Sequence, residues 1–191
     1  MDKAQVQENL TLLQEKFRDI SDSIHGLTSL PQATLIQNLT TITNIILTGE
    51  KFSEVFFEFF CECRLVELFQ DILTTSRSPQ INIAVIQNLT MFLYNYKKTQ
   101  NIYYLLSNKH LAEIIVMDLD FQHNEFTDYY VNFLKTIASK ISSHPPDLFY
   151  NNIYSHFPLL YSITRFYNHH ETLVRTTVQN VVLGLLKYEN K

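Results

Sequence analysis

Glycine and proline are scarce in this chain, with three and five among 191 residues. So few punctuating residues exclude a turn-rich β architecture and favour long helices with short connections. Cysteine is limited to Cys61 and Cys63, too few for a disulfide framework, and tryptophan is absent. Positive charge is not in excess either. The formal charge is −4 with both signs interspersed, so there is no basic stripe of the kind phosphate backbones require, and nucleic acid is not an expected partner. No apolar run approaches the roughly 18 residues of a membrane span, and MDKAQVQENL lacks the basic and apolar regions of a signal peptide. A soluble, cytosolic protein with no integral membrane segment is therefore expected. On that expectation the Asn-x-Thr acceptors Asn9, Asn38 and Asn88 are ordinary polar helix positions rather than glycan sites. What the chain does have is apolar surface: 46% hydrophobic residues, enough for a sizeable core.

That apolar surface is organised by repetition. IQNLT stands at Ile36 to Thr40 and again at Ile86 to Thr90, inside a longer echo: Leu35, Leu39, Ile42 and Ile46 match Val85, Leu89, Phe92 and Tyr96. Weaker copies follow at Tyr130, Leu134, Ile137 and Ala138, and at Val174, Val178, Val181 and Val182. Apolar residues at i, i+4, i+7 and i+11 form one stripe of an amphipathic helix, and units recurring every 40 to 50 residues or so are the signature of helical arrays. Between the stripe helices lies a second recurring unit, an aromatic helix turning into an aliphatic one. FFEFFCECRLVELFQDIL (56 to 73) parallels IYYLLSNKHLAEIIVMDL (102 to 119), with a four-residue turn after Phe60 and Leu106, and LFYNNIYSHFPLLYSITRFY (148 to 167) is a looser version.

Two shorter helices and one longer helix per period is the plan of an armadillo repeat. Val174-Arg175 in ETLVRTTVQNVVLGLLKY (171 to 188) resembles the second helix of a HEAT repeat. The expected fold is thus an all-α, armadillo/HEAT-like α-solenoid forming a single domain over 1–191. Residues 1–26 would be a capping helix ended by Gly26, and repeat units would cover about 27–98, 99–143 and 144–191. Pro31 is expected to open the first stripe helix and Gly49 to close it. Ser78-Pro79 and Pro145-Pro146 would mark unit boundaries, since a residue before proline avoids the helical region.

Chemistry-bearing clusters give no positive sign of catalysis. Cys61 and Cys63 lie about 200° apart on a helix, with no second pair to complete a zinc site. His169-His170-Glu171 suggests a ligand cluster, but adjacent helical residues diverge by about 100°, which favours a helix-start turn. Asp118, Asp120, Glu125 and Asp128 surround the linker DFQHNEF (120 to 126) without the glycine and glutamate spacing of a calcium loop. No phosphate-loop or nucleophile-elbow motif occurs. Neither a cofactor, a metal nor a catalytic residue is assigned, and the expectation is a protein that is not an enzyme.

From about Lys51 to Tyr188 the chain resembles the FPL domain of the endosomal-maturation (Ema, or C-type-lectin-family-sixteen-A-like) proteins. The resemblance is carried by YYLLSNKHLAEIIV (103 to 116), DYYVNFLKTIASKI (128 to 141), DLFYN (147 to 151) and FPLLYSITRFYNHHETLVRTTV (157 to 178). It implies a non-enzymatic helical scaffold at endosomes and lysosomes, acting in membrane trafficking and autophagy through protein partners of the tethering machinery, with at most peripheral membrane association through those partners. Two alternatives stand beside it: a pathogen effector mimicking this host domain in the host cytosol, or an accessory factor of a ubiquitin ligase. Family members run far longer, so the chain is expected to be either a cut-down piece or an FPL domain alone. Phe157, Pro158 and Leu159, which name the domain, and Arg175 read as structural: Pro158 suits a first helical turn, and Arg175 would tie one repeat to its neighbour. Partner contact is expected instead on the polar positions of the stripe helices. One column reads Gln37, Gln87, Asn132 and Thr176, the next Thr40, Thr90, Lys135 and Gln179. Of these, Gln87, Asn132, Lys135 and Gln179 are the partner-binding candidates, because neutral amides and hydroxyls can hydrogen-bond a peptide or helix.

Overall fold

A computed structural model describes residues 1–107, 110–141 and 157–186. The described residues form ten α-helices and no strand, in two compact units, Met1–Asn95 and Tyr96–Lys191. Pro145-Pro146, DLFYN and the start of the third aromatic helix lie outside the described residues.

The first unit begins with α1 (Lys3–Ile24), which is closed at both ends by its own sequence. Asp2 accepts from the Gln5 N–H while Gln5 accepts from the Asp2 N–H, a reciprocal capping box that satisfies two otherwise orphaned donors. At the other end Gly26 takes φ +73°, and the Gly26 and Leu27 N–H groups donate to Ser23 O and Asp22 O, the two bonds of a Schellman motif. Next come α2 (Gln32–Gly49), α3 (Val55–Glu62), α4 (Leu65–Thr75) and α5 (Pro79–Asn95). Pro31 precedes α2, and Ser78 caps α5 by accepting from the Ile81 N–H. The expected four-residue turn after Phe60 is shorter. Helix α3 runs on to Glu62, leaving only Cys63 and Arg64, and the chain reverses by placing Arg64 in the left-handed region at φ 48°. Both thiols are half-buried. Burial, helped by the Glu62 charge, pushes the Cys63 thiol above its ordinary pKa, which lowers its thiolate content and reactivity.

Helices α2 and α5 lie side by side and run parallel. Ser78 Oγ donates to Gln32 Oε1 at 2.9 Å, so both helices start at the same edge. The stripe residues Leu35, Leu39, Ile42 and Ile46 of α2 and Val85, Leu89 and Phe92 of α5 are buried, as is Tyr96 just past the end of α5, and Phe92 packs against the rings of Phe60 and Phe69 from the α3–α4 hairpin. The repeated pentapeptide behaves differently from expectation at its centre. Asn38 and Asn88 are only 4% and 3% exposed. Asn38 Nδ2 donates to Asp19 Oδ2 on α1 at 3.5 Å, and Asn88 Nδ2 to Ala84 O at 2.6 Å. Their offset from the leucine stripe is one residue, about 100° on a helix, which turns them inward toward neighbouring elements instead of to solvent.

The second unit contains α6 (Thr99–Ser107), α7 (His110–Val116), α8 (Asn124–Ile141), α9 (Pro158–Thr164) and α10 (Thr172–Leu186). Its core repeats the parallel pairing. Asn124 Nδ2 lies 3.3 Å from His170 Nε2, joining the start of α8 to the turn before α10. The stripe here ends differently from the sequence reading. Ile141 and Leu185 are buried, while Ala138 and Val182 are half-buried, because i+11 continues the stripe and i+8 drifts to its edge. The linker before α8 is held by Phe121, which packs on Phe126, Tyr130 and Phe166 and carries the Arg165 guanidinium 5.2 Å from its ring centre. One backbone carbonyl ties three helices together. Ile115 O accepts from Tyr130 Oη at 2.8 Å and from Ser162 Oγ at 2.7 Å, which satisfies a carbonyl in the last turn of α7. No helix among the described residues is long and apolar enough to cross a membrane.

Candidate interaction site

The outward faces of α8 and α10 build a recessed surface in the second unit. Asp128, Asn132, Lys135 and Ser139 recur at i, i+4, i+7 and i+11 along α8, and all are exposed. Between this face and α10 lies a cleft of about 250 Å³. Its floor is apolar and small, formed by Ala138, Val181, Gly184 and Leu185. Its rim is polar, with Lys135 and Ser139 from α8 facing Thr177 and Asn180 from α10. Among the described residues no acidic side chain lines it and Lys135 has no ion pair.

Gly184 has no local reason to be glycine. It lies inside α10 without a positive φ, and a Cβ built on it meets nothing within 4 Å. A glycine within a helix costs about 0.5–1 kcal/mol relative to alanine. Gly49 is the contrast, since its Cβ would come within 2.5 Å of the buried Phe56 ring. Packing accounts for Gly49; at Gly184 the missing side chain leaves the cleft floor open.

Of the four partner-binding candidates, the structure puts Lys135 on the rim of this cleft. Asn132 and Gln179 are exposed on the same two helices without lining it, and Gln87 is half-buried on α5 of the first unit. Part of the expected hydroxyl ladder is spent internally. Thr40, Thr90 and Thr176 donate to the carbonyls of Ile36, Ile86 and Thr172 four residues back, so these hydroxyls have only lone pairs left to offer.

The family tripeptide lies at the start of α9. Phe157 is its extended N-cap residue, Pro158 stands at the first position and Leu159 is buried. Arg175 serves its own turn: its guanidinium donates to His169 O, His170 O and Thr172 Oγ1 at 2.6, 2.8 and 2.9 Å. None of these partners belongs to another repeat, unlike the role its HEAT-like position implies. That turn brings the two imidazoles closer than a helical register would. Both residues precede α10, and their ring centres are 4.3 Å apart. Asp128 faces the same turn. Although the side chain is exposed, partial desolvation of its carboxyl and then the Glu171 charge raise its pKa, against the opposing pull of His169 and His170. No group of three or more His, Cys, Asp or Glu among the described residues is arranged to hold a metal ion.

Residues 39–186 match the FPL family, described as an uncharacterised conserved protein. The chain is 32% identical over 178 residues to Protein CLEC16A homolog of Drosophila melanogaster, covering 92% of this chain and 16% of that protein. Against Protein CLEC16A of Homo sapiens it is 32% identical over 153 residues, 80% of this chain and 14% of the relative. Against Protein TRANSPARENT TESTA 9 of Arabidopsis thaliana it is 32% identical over 154 residues, 79% and 18% respectively. The chain therefore spans less than a fifth of the length of these relatives. No solved structure matches it.

Proposed function

Since this chain belongs to the FPL family, we propose that it is a non-enzymatic helical-repeat scaffold that binds protein partners in endosomal and lysosomal membrane trafficking and autophagy. The structural observation that supports a repeat scaffold is the recurrence of one inter-helix clasp. Ser78 to Gln32 in the first unit and His170 to Asn124 in the second each join the starts of two parallel long helices, and each spans 46 residues. Parallel stacking at a fixed register is how armadillo and HEAT arrays present equivalent side chains on one recognition surface. In this reading the chain is an α-solenoid with α1 as its N-terminal cap, peripheral to endosomes and lysosomes. Gln87, Asn132, Lys135 and Gln179 supply contacts to a tethering or trafficking protein.

The test is affinity capture from a eukaryotic lysate with quantitative mass spectrometry, comparing the natural chain with one carrying glutamate at all four positions. Endolysosomal trafficking proteins are expected on the first and depleted on the second, with circular dichroism unchanged. An identical capture list from both would remove these residues from the interface. A ubiquitin-transfer activity would instead require an activated thiol, and the raised Cys63 pKa argues for slow labelling by a thiol probe in the folded protein. Rapid labelling of Cys61 or Cys63 would favour the enzymatic class.

A further inference from the structure

We infer that the α8–α10 cleft receives an amphipathic helix of a protein partner, which inserts one bulky apolar side chain over Gly184 and sets a carboxylate one turn away against Lys135. The inference rests on the protein-binding reading above and names the chemistry of the ligand. Size is the first argument: about 250 Å³ is below the roughly 300–1,000 Å³ of pockets that enclose a cofactor or drug-sized ligand, but suits one or two side chains. Shape is the second. Two parallel helices with small residues at Ala138, Ser139 and Gly184 form a trough into which a side chain of a third helix can fit as a knob into a hole.

Backbone chemistry separates a helix from an extended peptide. A strand needs a free sheet edge to satisfy its own N–H and C=O groups, and both walls of this cleft are helices whose main-chain groups are already bonded internally. A helical ligand brings its backbone satisfied and asks only for side-chain contacts. Charge fixes the remaining element. Among the described residues Lys135 has no ion pair and the rim carries no acid, only the neutral Ser139, Thr177 and Asn180 beside it, so a carboxylate is favoured there and a lysine or arginine disfavoured.

The test is selection of a displayed library of helix-biased 15-residue peptides against the full chain, followed by fluorescence anisotropy with the individual winners. Peptides carrying a large apolar residue with Asp or Glu three or four positions away are expected. Their affinity should fall at least tenfold both for Gly184→Leu, which fills the floor, and for Lys135→Glu, which reverses the rim. A proline in the middle of the peptide should abolish binding. Lys135 is exposed, so Lys135→Glu keeps the test decisive should Gly184→Leu fail to fold. Winners that are basic, that tolerate proline, or that bind both variants as well as the natural chain overturn the inference, and so does a library without winners. A dimer in sedimentation that dissociates on Gly184→Leu would assign the cleft to a second copy and overturn it too. Lysate capture that survives Gly184→Leu and Lys135→Glu but is lost on the four glutamate replacements would leave the scaffold reading standing without this cleft.

Discussion

Replacing Gly49 by alanine sets helix propensity against packing, and the structure decides which wins. Alanine at the end of α2 gains at most about 0.5–1 kcal/mol by restricting the unfolded chain. The new Cβ, however, would lie 2.5 Å from Phe56 Cδ2 and Cγ and 2.6 Å from Cε2. Ordinary carbon contact is about 3.5–4.0 Å, so the ring or α2 must retreat by roughly 1 Å. Phe56 is fully buried and cannot swing into solvent. Over-packing of this kind costs about 1–3 kcal/mol, which leaves a net loss centred on about 1 kcal/mol and reaching about 2.5 kcal/mol after the propensity gain. Urea denaturation would read this as a lower midpoint at unchanged slope, and heating as a fall of a few degrees in Tm, since about 1 kcal/mol shifts a domain of this size by about 2–4 °C. Gly184→Ala is the internal control: with nothing within 4 Å of its Cβ, it should raise the midpoint. Phe56→Leu in the Gly49→Ala background should cost less than the two single changes added together. Were Gly49→Ala as stabilising as Gly184→Ala, the close approach of Phe56 would not be what fixes this glycine.

Leu89→Ala, at the centre of the α5 stripe and fully buried, should lower stability by about 2–5 kcal/mol in the same titration. Tyr130→Phe should cost only about 0.5–1.5 kcal/mol, because Ser162 still satisfies Ile115 O; Tyr130→Phe with Ser162→Ala should exceed the sum of the single losses, since the buried carbonyl is then orphaned. Asp128 holds its proton more tightly in the folded chain than the ordinary value of 3.8, so its contribution is fully favourable below that value and is lost as pH rises through the folded pKa. Asp128→Asn should therefore raise Tm relative to the natural chain at neutral pH and make little difference near pH 3. An equal effect at both would mean that the carboxyl charge is not what opposes folding.

The stripe was legible in the sequence because helix burial is periodic. Leu39, Leu89, Leu134 and Val178 sit where apolar spacing puts them, all fully buried. Where the copies weakened, the reading slipped: Ala138 and Val182 are apolar neighbours of the true fourth positions, Ile141 and Leu185, and hydrophobicity alone does not tell a stripe from its edge. Polar residues were harder. Asn38 and Asn88 resemble solvent-facing amides until packing buries them; the Asp19 partner of Asn38 on α1 is a tertiary fact, whereas Asn88 bonds the Ala84 carbonyl one turn back in its own helix. His169 and His170 diverge only if helical, and their turn lies just outside α10. For the candidate site, Lys135 could be placed on the polar face, but the cleft beneath it needed α10 at its observed distance. One signal for the cleft does stand in the sequence: Gly184 interrupts a helical pattern where neither a cap nor a turn calls for glycine.

Parallel pairing of long helices also gives the second unit an electrical direction. Every helix carries about half a positive charge at its start and half a negative charge at its end, so two helices beginning at one edge bring like poles together. The clasp between Asn124 and His170 places the starts of α8 and α10 at such an edge, and Glu125 in the first turn of α8 and Glu171 immediately before α10 stand there as counter-charges. Lys140 occupies the last turn of α8, where the opposite pole collects, and donates to Tyr96 O at 3.5 Å. Carboxylates that read in sequence as the beginnings of a cation site are thereby employed against the field of the protein's own backbone. Neutralising them should weaken the clasp before it alters any ligand, and added salt, by screening both poles and counter-charges, should shrink the difference.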